Sequence, residues 1–198
     1  MAFLAEHCVR TVLTTKILSH CNPFSCGNKD LDEFFAEDSV AYSKQLMGKT
    51  YVFIDMENPQ NIVCAFTVSN ASIFTNYLPN ARKKRIGKEV PSSKRDMIYP
   101  AVLIGRLGVA EKYKHLRIGT ELMDFLKNWF TDDNNKTGCR YLVVDAYNTE
   151  SPMEYYQRNG FQFMFSTEEQ EKIYRKVDDD NSLKTRLMYF DLMQLVEE

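Results

Sequence analysis

The chain has 198 residues, 44% of them apolar and 13% aromatic, so it can bury a sizeable core in one domain. Its 27 acidic residues against 25 Lys and Arg exclude nucleic-acid binding by the whole surface and leave a local basic patch open. Five cysteines without a Cys-x-x-Cys pair predict reduced thiols, a cytoplasmic location and no metal site. No apolar run reaches the ~18 residues of a membrane span, so we expect no membrane contact.

The predicted elements of the N-terminal half are one long helix and a hairpin. Residues 24–47 have helical apolar spacing, and Asn28 is the predicted N-cap. Residues 49–55 and 61–73 read as strands around the turn cluster "MENPQN", which predicts an antiparallel hairpin. Residues 76–97 break this pattern as a basic insertion. Its cations are Arg82, Lys83, Lys84, Arg85, Lys88, Lys94 and Arg95.

The C-terminal half predicts an alternation of strands and helices. Ser151, Pro152 and Glu154 have the spacing of a capping box that opens a helix, and Asn159-Gly160 ends it. The fold class is therefore α/β, a mixed sheet with one strand–helix–strand crossover at its centre. The elements in order are a long strand over 97–110, a helix from Ile118 to Phe130, a strand over 140–146, the capped helix, a strand from Phe161 to Phe165, a polar excursion over 166–182 and a closing strand over 183–193.

The sequence "KYKHLRIG" stands where the long strand turns into a helix. Exposed backbone N–H groups at a helix start, with cations around them, form an anion site. The stretch is not a Walker A loop or a dinucleotide fingerprint, since both of those glycine patterns are absent. A pyrophosphate site and a plain turn with solvated cations therefore remain as alternatives from the residues alone.

This region resembles the GNAT superfamily of acetyl-CoA-dependent acetyltransferases. The family loop follows Gln/Arg-x-x-Gly-x-Gly/Ala. Lys114 stands at its first position, Gly119 at its last, and Arg117 replaces the first glycine. A second hallmark, an Asn followed by a short helix that ends in "FY-x-x-x-GF", is similar to "NTESPMEYYQRNGF", with Tyr156 and Gly160 in place. The resemblance covers about residues 49–192.

The resemblance implies a GNAT fold with a splayed central strand pair and helices on both faces. It implies acetyl-CoA as cosubstrate, no metal, and direct attack by an amine on the thioester. Tyr156 would protonate the leaving thiolate; a packed aromatic is the alternative role. Asn148 would bond the pantetheine. The implied cosubstrate contacts are the backbone of Leu107, Gly108 and Val109 and the loop formed by Lys114, His115, Leu116, Arg117, Ile118, Gly119 and Thr120.

A narrower resemblance is to the GNAT toxins of bacterial toxin–antitoxin pairs. Their Cys-Gly-Asn-x-x-Leu start is matched from Cys26 to Leu31, and their Gly-Arg-Leu-x-Val strand from Gly105 to Val109. This extends the resemblance to about residues 23–192 of one domain, 1–198. It implies acetylation of the α-amine of aminoacyl-tRNA and a cognate antitoxin. The seven cations of the basic insertion would meet tRNA phosphates, and Arg106 would contact substrate.

Several alternatives stay open at this point. The acceptor could instead be a small amine, a peptide or a protein lysine, and a non-catalytic acetyl-CoA-binding module is the third reading. The basic insertion could be a solvated loop, and Arg106 could form a salt bridge. Asp145 and Glu111 are candidate bases only through their proximity in sequence. A homodimer is compatible with the family.

Overall fold

The computed structural model describes residues 2–87, 98–177 and 181–196. It has a mixed α/β fold with a seven-stranded sheet in the order β1-β2-β3-β4-β5-β7-β6, which confirms the predicted fold class. The strands are β1 (Cys8–Val12), β2 (Lys49–Asp55), β3 (Ile62–Phe74), β4 (Ile98–Val109), β5 (Tyr141–Tyr147), β6 (Gln162–Phe163) and β7 (Thr185–Asp191). The helices are α1 (Phe3–His7), α2 (Thr15–His20), α3 (Lys29–Glu33), α4 (Ser39–Lys44), α5 (Asn80–Ile86), α6 (Ile118–Thr131), α7 (Glu150–Arg158) and α8 (Glu168–Arg175).

The chain divides into two compact units. Unit 1 comprises Met1–Ser69 and Ile104–Asn128, and unit 2 comprises Asn70–Leu103 and Trp129–Glu198. Strands β3 and β4 each contribute residues to both units. Each unit is described by itself below.

Unit 1 contains the predicted long helix and the hairpin. The Asn28 side chain accepts a hydrogen bond from the Leu31 N–H at 3.2 Å, which confirms the predicted cap. A π-helical turn over Phe34–Asp38 joins α3 to α4 and turns Phe35 into the core, where it is 1% exposed. β2 and β3 pair antiparallel, as predicted, and β1, which the sequence analysis missed, pairs with β2.

Unit 2 is built around β5 and β7, which pair antiparallel over their full length. β5 reads as a nearly continuous apolar run because its first four residues are all buried. Tyr141 is fully buried, and its hydroxyl donates to the Ile86 carbonyl at 2.6 Å, which ties α5 to the sheet. Arg140 and Asp191 form a two-point ion pair at 2.9 and 3.0 Å beside it.

The boundaries of two elements differ from the predictions. α7 begins at Glu150 with Thr149 at the N-cap, so the predicted cap at Ser151 is wrong. Pro152 is tolerated inside the first turn because N–H groups there have no partner within the helix. The strand predicted from Phe161 to Phe165 is only β6, since neighbouring Met164 and Phe165 are both buried and side chains no longer alternate across a sheet.

Two segments predicted as irregular contain helices. α5 carries the first cations of the basic insertion, so this part is not a loop. The polar excursion contains α8, which is capped by Thr167 and packs on β7 through Glu171, a carboxylate with no exposed surface. Thr167 accepts from the Gln170 N–H, and Gln170 accepts from the N–H of Ser166, the residue before the cap. The Thr-x-x-Gln spacing of a capping box could have been found in the sequence.

Candidate active site

The loop that the sequence analysis singled out lies in unit 1 between β4 and α6. Glu111–Leu116 form a 3₁₀ turn, Arg117 takes the left-handed conformation with φ 58°, and α6 begins at Ile118. The Arg117 carbonyl accepts from the N–H groups of Thr120 and Glu121 at 3.0 and 3.2 Å, which closes the first turn. The left-handed Arg117 therefore leads the chain from the 3₁₀ turn directly into α6.

The loop has the electrostatics of an anion site. Lys114, His115 and Arg117 are exposed, whereas Ile118 is fully buried and fixes the helix start. α6 has 14 residues, so its N-terminus provides a partial positive charge that adds to these cations. The residues therefore fit a pyrophosphate, as the resemblance implies.

The start of the first predicted helix packs against this loop. Gly27 has φ 78°, and a Cβ there would lie 2.8 Å from Glu111 Oε1 and 3.3 Å from Lys114 Nζ. Asp32 holds the turn by accepting from the Cys26 N–H at 2.7 Å and the Ser25 hydroxyl at 2.9 Å. The matched Cys-Gly-Asn pattern thus braces the loop, a role that sequence reasoning did not predict.

The end of β4 is closely packed on the same turn. A Cβ on Gly108 would lie 3.0 Å from the Cys26 sulfur, so a side chain there would require the Cys26 side chain to shift. Burial raises the pKa of the Cys26 thiol to about 11, which makes it a neutral packing group rather than a nucleophile. Leu107 and Val109 are half-buried beside it, and their predicted backbone contacts with the pantetheine stay a prediction.

Arg106 lies on β4 in unit 1. Its guanidinium stacks over the Phe34 ring at 4.9 Å, and Nη1 donates to the Gly105 carbonyl at 2.9 Å. Its Nε is buried and has no hydrogen-bond partner in the described part of the chain. Stacking on an aromatic ring therefore holds this side chain, and its predicted contact with substrate stays a prediction.

Tyr156 lies on α7 in unit 2 and is half-buried. Its ring contacts Tyr155 and Phe161, with centroids at 5.0 and 5.4 Å. Gly160, with φ 82°, ends the helix and returns Phe161 to it, so that the Phe161 N–H donates to the Tyr156 carbonyl at 3.0 Å. Burial raises the pKa of Tyr156, so the phenol keeps its proton well above neutral pH.

Asn148 follows β5 in unit 2 and ties it to α8. Its amide nitrogen donates to Glu168 Oε2 at 3.1 Å and to the Leu183 carbonyl at 2.8 Å. Both amide hydrogens are thus engaged inside the unit, which leaves Oδ1 as the atom that a ligand could use. The predicted bond to pantetheine therefore stays a prediction, and Oδ1 is the atom that would form it.

The predicted cations of the basic insertion separate into two groups. Arg82 packs over the Tyr189 ring at 5.6 Å and donates to its hydroxyl at 3.1 Å, so it holds α5 in place. Lys83 is half-buried, and Lys84 and Arg85 are exposed. The remaining predicted members, Lys88, Lys94 and Arg95, lie outside the described residues.

The two candidate bases have structural contacts. Asp145 on β5 bonds Arg175 of α8, with the oxygen and Nη2 2.5 Å apart. Glu111 lies against the Gly27 turn, and its N–H donates to the Ser25 carbonyl at 3.0 Å. Within the described ranges there is no cluster of three or more His, Cys, Asp or Glu that could hold a metal. No helix in those ranges is both long and apolar enough to span a membrane.

A family model matches the middle of the chain. The profile of the Acetyltransferase (GNAT) family matches residues 94–161, which include β4, the 114–119 loop, α6, β5 and α7. Residues 94–161 therefore match the GNAT acetyltransferases, a class of N-acetyltransferases that use acetyl-CoA as cosubstrate.

Solved structures share this fold over nearly the whole chain. A tyrosine-to-phenylalanine mutant of KacT superposes with a TM-score of 0.65 at 17% identity, over 96% of this chain and 100% of that one. AtaT complexed with acetyl-methionyl-tRNAfMet gives 0.65 at 16% identity, over 95% and 96%. A mutant AtaT toxin bound to the C-terminus of the antitoxin AtaR and acetyl-CoA gives 0.59 at 13% identity, over 96% of both chains.

Proposed function

We propose that this chain transfers the acetyl group of acetyl-CoA to the α-amine of an aminoacyl-tRNA. The observation that carries the proposal is the likeness to AtaT, which has been captured with acetyl-methionyl-tRNAfMet and which shares the fold over 95% of this chain. The matched Cys-Gly-Asn turn and its packing against the loop add a local feature to this likeness. In this proposal residues 1–198 act as one catalytic domain.

In unit 1 the chain would bind the cosubstrate. When bound, acetyl-CoA supplies an activated acetyl thioester to the acceptor amine. Lys114, His115 and Arg117 and the N-terminus of α6 would neutralise its pyrophosphate. Gly108 keeps the end of β4 free of a side chain.

In unit 2 the chain would supply a proton. Desolvation raises the pKa of Tyr156, so its phenol is protonated at neutral pH and is not a base. In this proposal it would protonate the leaving sulfur. An α-amine has a pKa near ~8, against ~10.4 for lysine, so roughly a hundredfold larger fraction is neutral at pH 7. Such an acceptor reduces the need for a strong protein base.

The exposed cations of α5, Lys84 and Arg85, would contact tRNA phosphates. Their helix gives them a fixed spacing, whereas Arg82 is engaged with Tyr189. The likeness to AtaT bound to AtaR extends the proposal to a cognate antitoxin and a cytoplasmic location. A homodimer stays a prediction from the family resemblance.

One observation favours a smaller acceptor as the second candidate. In the first turn of α8 Glu169 is exposed and Glu168 is half-buried, and the whole chain has a formal net charge of −2. This charge opposes a polyanion, so a small amine, a peptide or a protein lysine is the alternative substrate. Such an acceptor predicts turnover without RNA and little dependence on Lys84 and Arg85.

The test is acetyl transfer in vitro with the purified full chain. A pool of charged tRNA is incubated with acetyl-CoA, and the released amino acids are analysed by mass spectrometry. We expect N-acetylated amino acids from charged tRNA, and none when uncharged tRNA and the same free amino acids are supplied. Charged tRNA that stays unmodified across all aminoacyl types would contradict the proposal, and CoA release with small amines would then favour the second candidate.

A further inference from the structure

Unit 2 contains a pocket of about 270 Å³ that none of the roles above uses. Its walls come from the end of β3, from β4, β5 and β7, and from α8. Most of its lining is apolar or aromatic. The lining residues are Ala71, Ser72, Ile73, Phe74, Leu78, Leu103, Val143, Asp145, Met164, Tyr174, Arg175 and Leu187.

The size and lining of the pocket restrict what it can hold. Its volume is below the ~300–1,000 Å³ of sites that bury a drug-sized ligand, so it suits a single side chain rather than a nucleotide. Ile73 and Met164 in its lining are 4% and 1% exposed, and neither offers a hydrogen bond from its side chain. A charged side chain entering there would lose hydration without compensation, whereas an apolar one would gain by burial.

The charged residues that line the pocket are Asp145 and Arg175. Val143 and Asp145 are two residues apart on β5, so both face the pocket side of the sheet. The Asp145 side chain is 45% exposed, and its partner Arg175 is 24% exposed. Asp145 therefore combines an accessible carboxylate with a position on the wall of an apolar pocket.

Glu171 fixes this wall without help from Asp145. Its buried carboxylate accepts from Arg175, from Arg186 and from the Leu187 N–H, each at 2.7 Å. Arg175 thus keeps a carboxylate partner even when Asp145 turns to another cation. Asp145 is the exposed carboxylate of the two, so its pair with Arg175 is the one that a ligand amine would replace, whereas Glu171 has no exposed surface.

From this arrangement we propose that the pocket binds an apolar side chain of the acceptor while Asp145 accepts a hydrogen bond from its α-amine. The inference rests on the proposed function for the acceptor's identity, and it narrows the substrate class to amines carrying a medium or large apolar side chain. Specificity would come from α8, since this helix supplies Tyr174 and Arg175 to the wall.

The test measures binding rather than turnover. Full-length protein with CoA present is titrated calorimetrically with L-methioninamide and with glycinamide. We expect L-methioninamide to bind about 10- to 200-fold more tightly, the range typical of one to a few methylenes in an apolar pocket. Equal affinities, or no binding of either amide, would overturn the proposal.

Substitutions then locate the binding. Ala71→Phe fills the pocket and should abolish the preference for L-methioninamide while glycinamide affinity is kept. Ser72→Phe, at an exposed lining position, is a second filling variant that leaves the core untouched. Ala81→Phe on the exposed face of α5 is the matched control and should keep the preference. An unchanged preference in both filling variants would refute the pocket assignment.

Asp145→Asn separates amine recognition from side-chain recognition. It should weaken the binding of both amides by a similar factor, about tenfold, and leave the ratio of their two affinities unchanged. Asp124→Asn removes another exposed carboxylate and should change neither affinity. Weaker binding of L-methioninamide alone would contradict the role given to Asp145.

The proposed function fails separately from this inference. A preference for L-methioninamide without acetyl transfer to any charged tRNA would support the pocket as a side-chain site and reject tRNA as substrate. Acetyl transfer to charged tRNA with no preference between the two amides would support the proposed function and reject the pocket as a side-chain site.

Discussion

The loop of unit 1 and the pocket of unit 2 are built in different ways. The turn that braces the loop is local, since Asp32 bonds Ser25 and Cys26 only seven and six residues away. The pocket wall is assembled over long distances, since Glu171 bonds Leu187 sixteen residues away and Asp145 bonds Arg175 thirty residues away. One region is shaped by turns and backbone groups, and the other by buried charge.

This difference fits the two ligands that we assign to them. A pyrophosphate can be bound by backbone N–H groups and surface cations, which a short motif provides. An acceptor must be distinguished from similar amines, which requires a shaped cavity with few polar groups. Changes in one region should therefore leave the ligand of the other largely unaffected.

The largest expected effect is on the rate, from Tyr156→Phe. Removing the phenolic proton should lower kcat by about 10²–10⁴-fold, the range of general acid catalysis, while acetyl-CoA affinity is unchanged. Tyr155→Phe is the matched control at the adjacent position and should retain activity. The measurement is steady-state kinetics together with calorimetric binding of CoA.

The pH profile adds a second check on Tyr156. Because burial raises its pKa above the usual ~10, the donor stays protonated and rate should not fall between pH 7 and about 9.5. The rate should rise over the lower part of this range as the acceptor amine loses its proton. A falling limb centred near pH 8 would contradict the assignment of a buried proton donor.

The next effect is on stability and comes from Glu171→Gln. The change leaves Arg175 and Arg186 beside a neutral amide in place of a buried carboxylate, so we expect a loss of about 3–5 kcal/mol in the free energy of unfolding. Urea denaturation measures it. Glu169→Gln, at a neighbouring position of α8, should leave the unfolding midpoint unchanged. A Glu171→Gln variant as stable as wild type would show that the wall does not depend on this carboxylate.

The features that could be predicted from the sequence are those built from local contacts, and the features that were missed depend on long-range contacts. The Asn28 cap, the hairpin and the strand-to-helix loop depend on neighbouring residues, so their patterns are visible in the sequence. Glu171 lies in a segment rich in charges, and nothing local shows that its carboxylate is buried against β7. The brace formed by Gly27 was also missed, because its partners Glu111 and Lys114 are distant in the chain.

A smaller effect, on cosubstrate affinity, is expected from Gly27→Ala. The new methyl group would lie 2.8 Å from Glu111 Oε1 at a backbone φ of 78°, so the turn and the loop against it must shift. We expect acetyl-CoA to bind about tenfold more weakly. Gly105→Ala adds the same atom where nothing lies within 4 Å and should bind normally. Unchanged affinity in Gly27→Ala would show that the turn does not brace the loop.

The smallest effect concerns tRNA. Replacing Lys84 and Arg85 by Gln should raise the KM for charged tRNA a few-fold and reduce the slope of log affinity against log salt by about 1.4–1.8, the value for two phosphate contacts. The control replaces Lys29 and Lys136, two exposed lysines elsewhere, and should keep the slope. Equal salt slopes in both variants would show that α5 does not contact tRNA.

The most direct test of the account is the state of charged tRNA in bacteria that express the protein. Wild type and Tyr156→Phe are induced in parallel, and the amino acids released from their tRNA are identified by mass spectrometry. We predict N-acetylated amino acids with apolar side chains in wild type and at most traces in the mutant. Charged tRNA that is unmodified in both cultures, with both proteins folded and bound to CoA, would contradict the central claim.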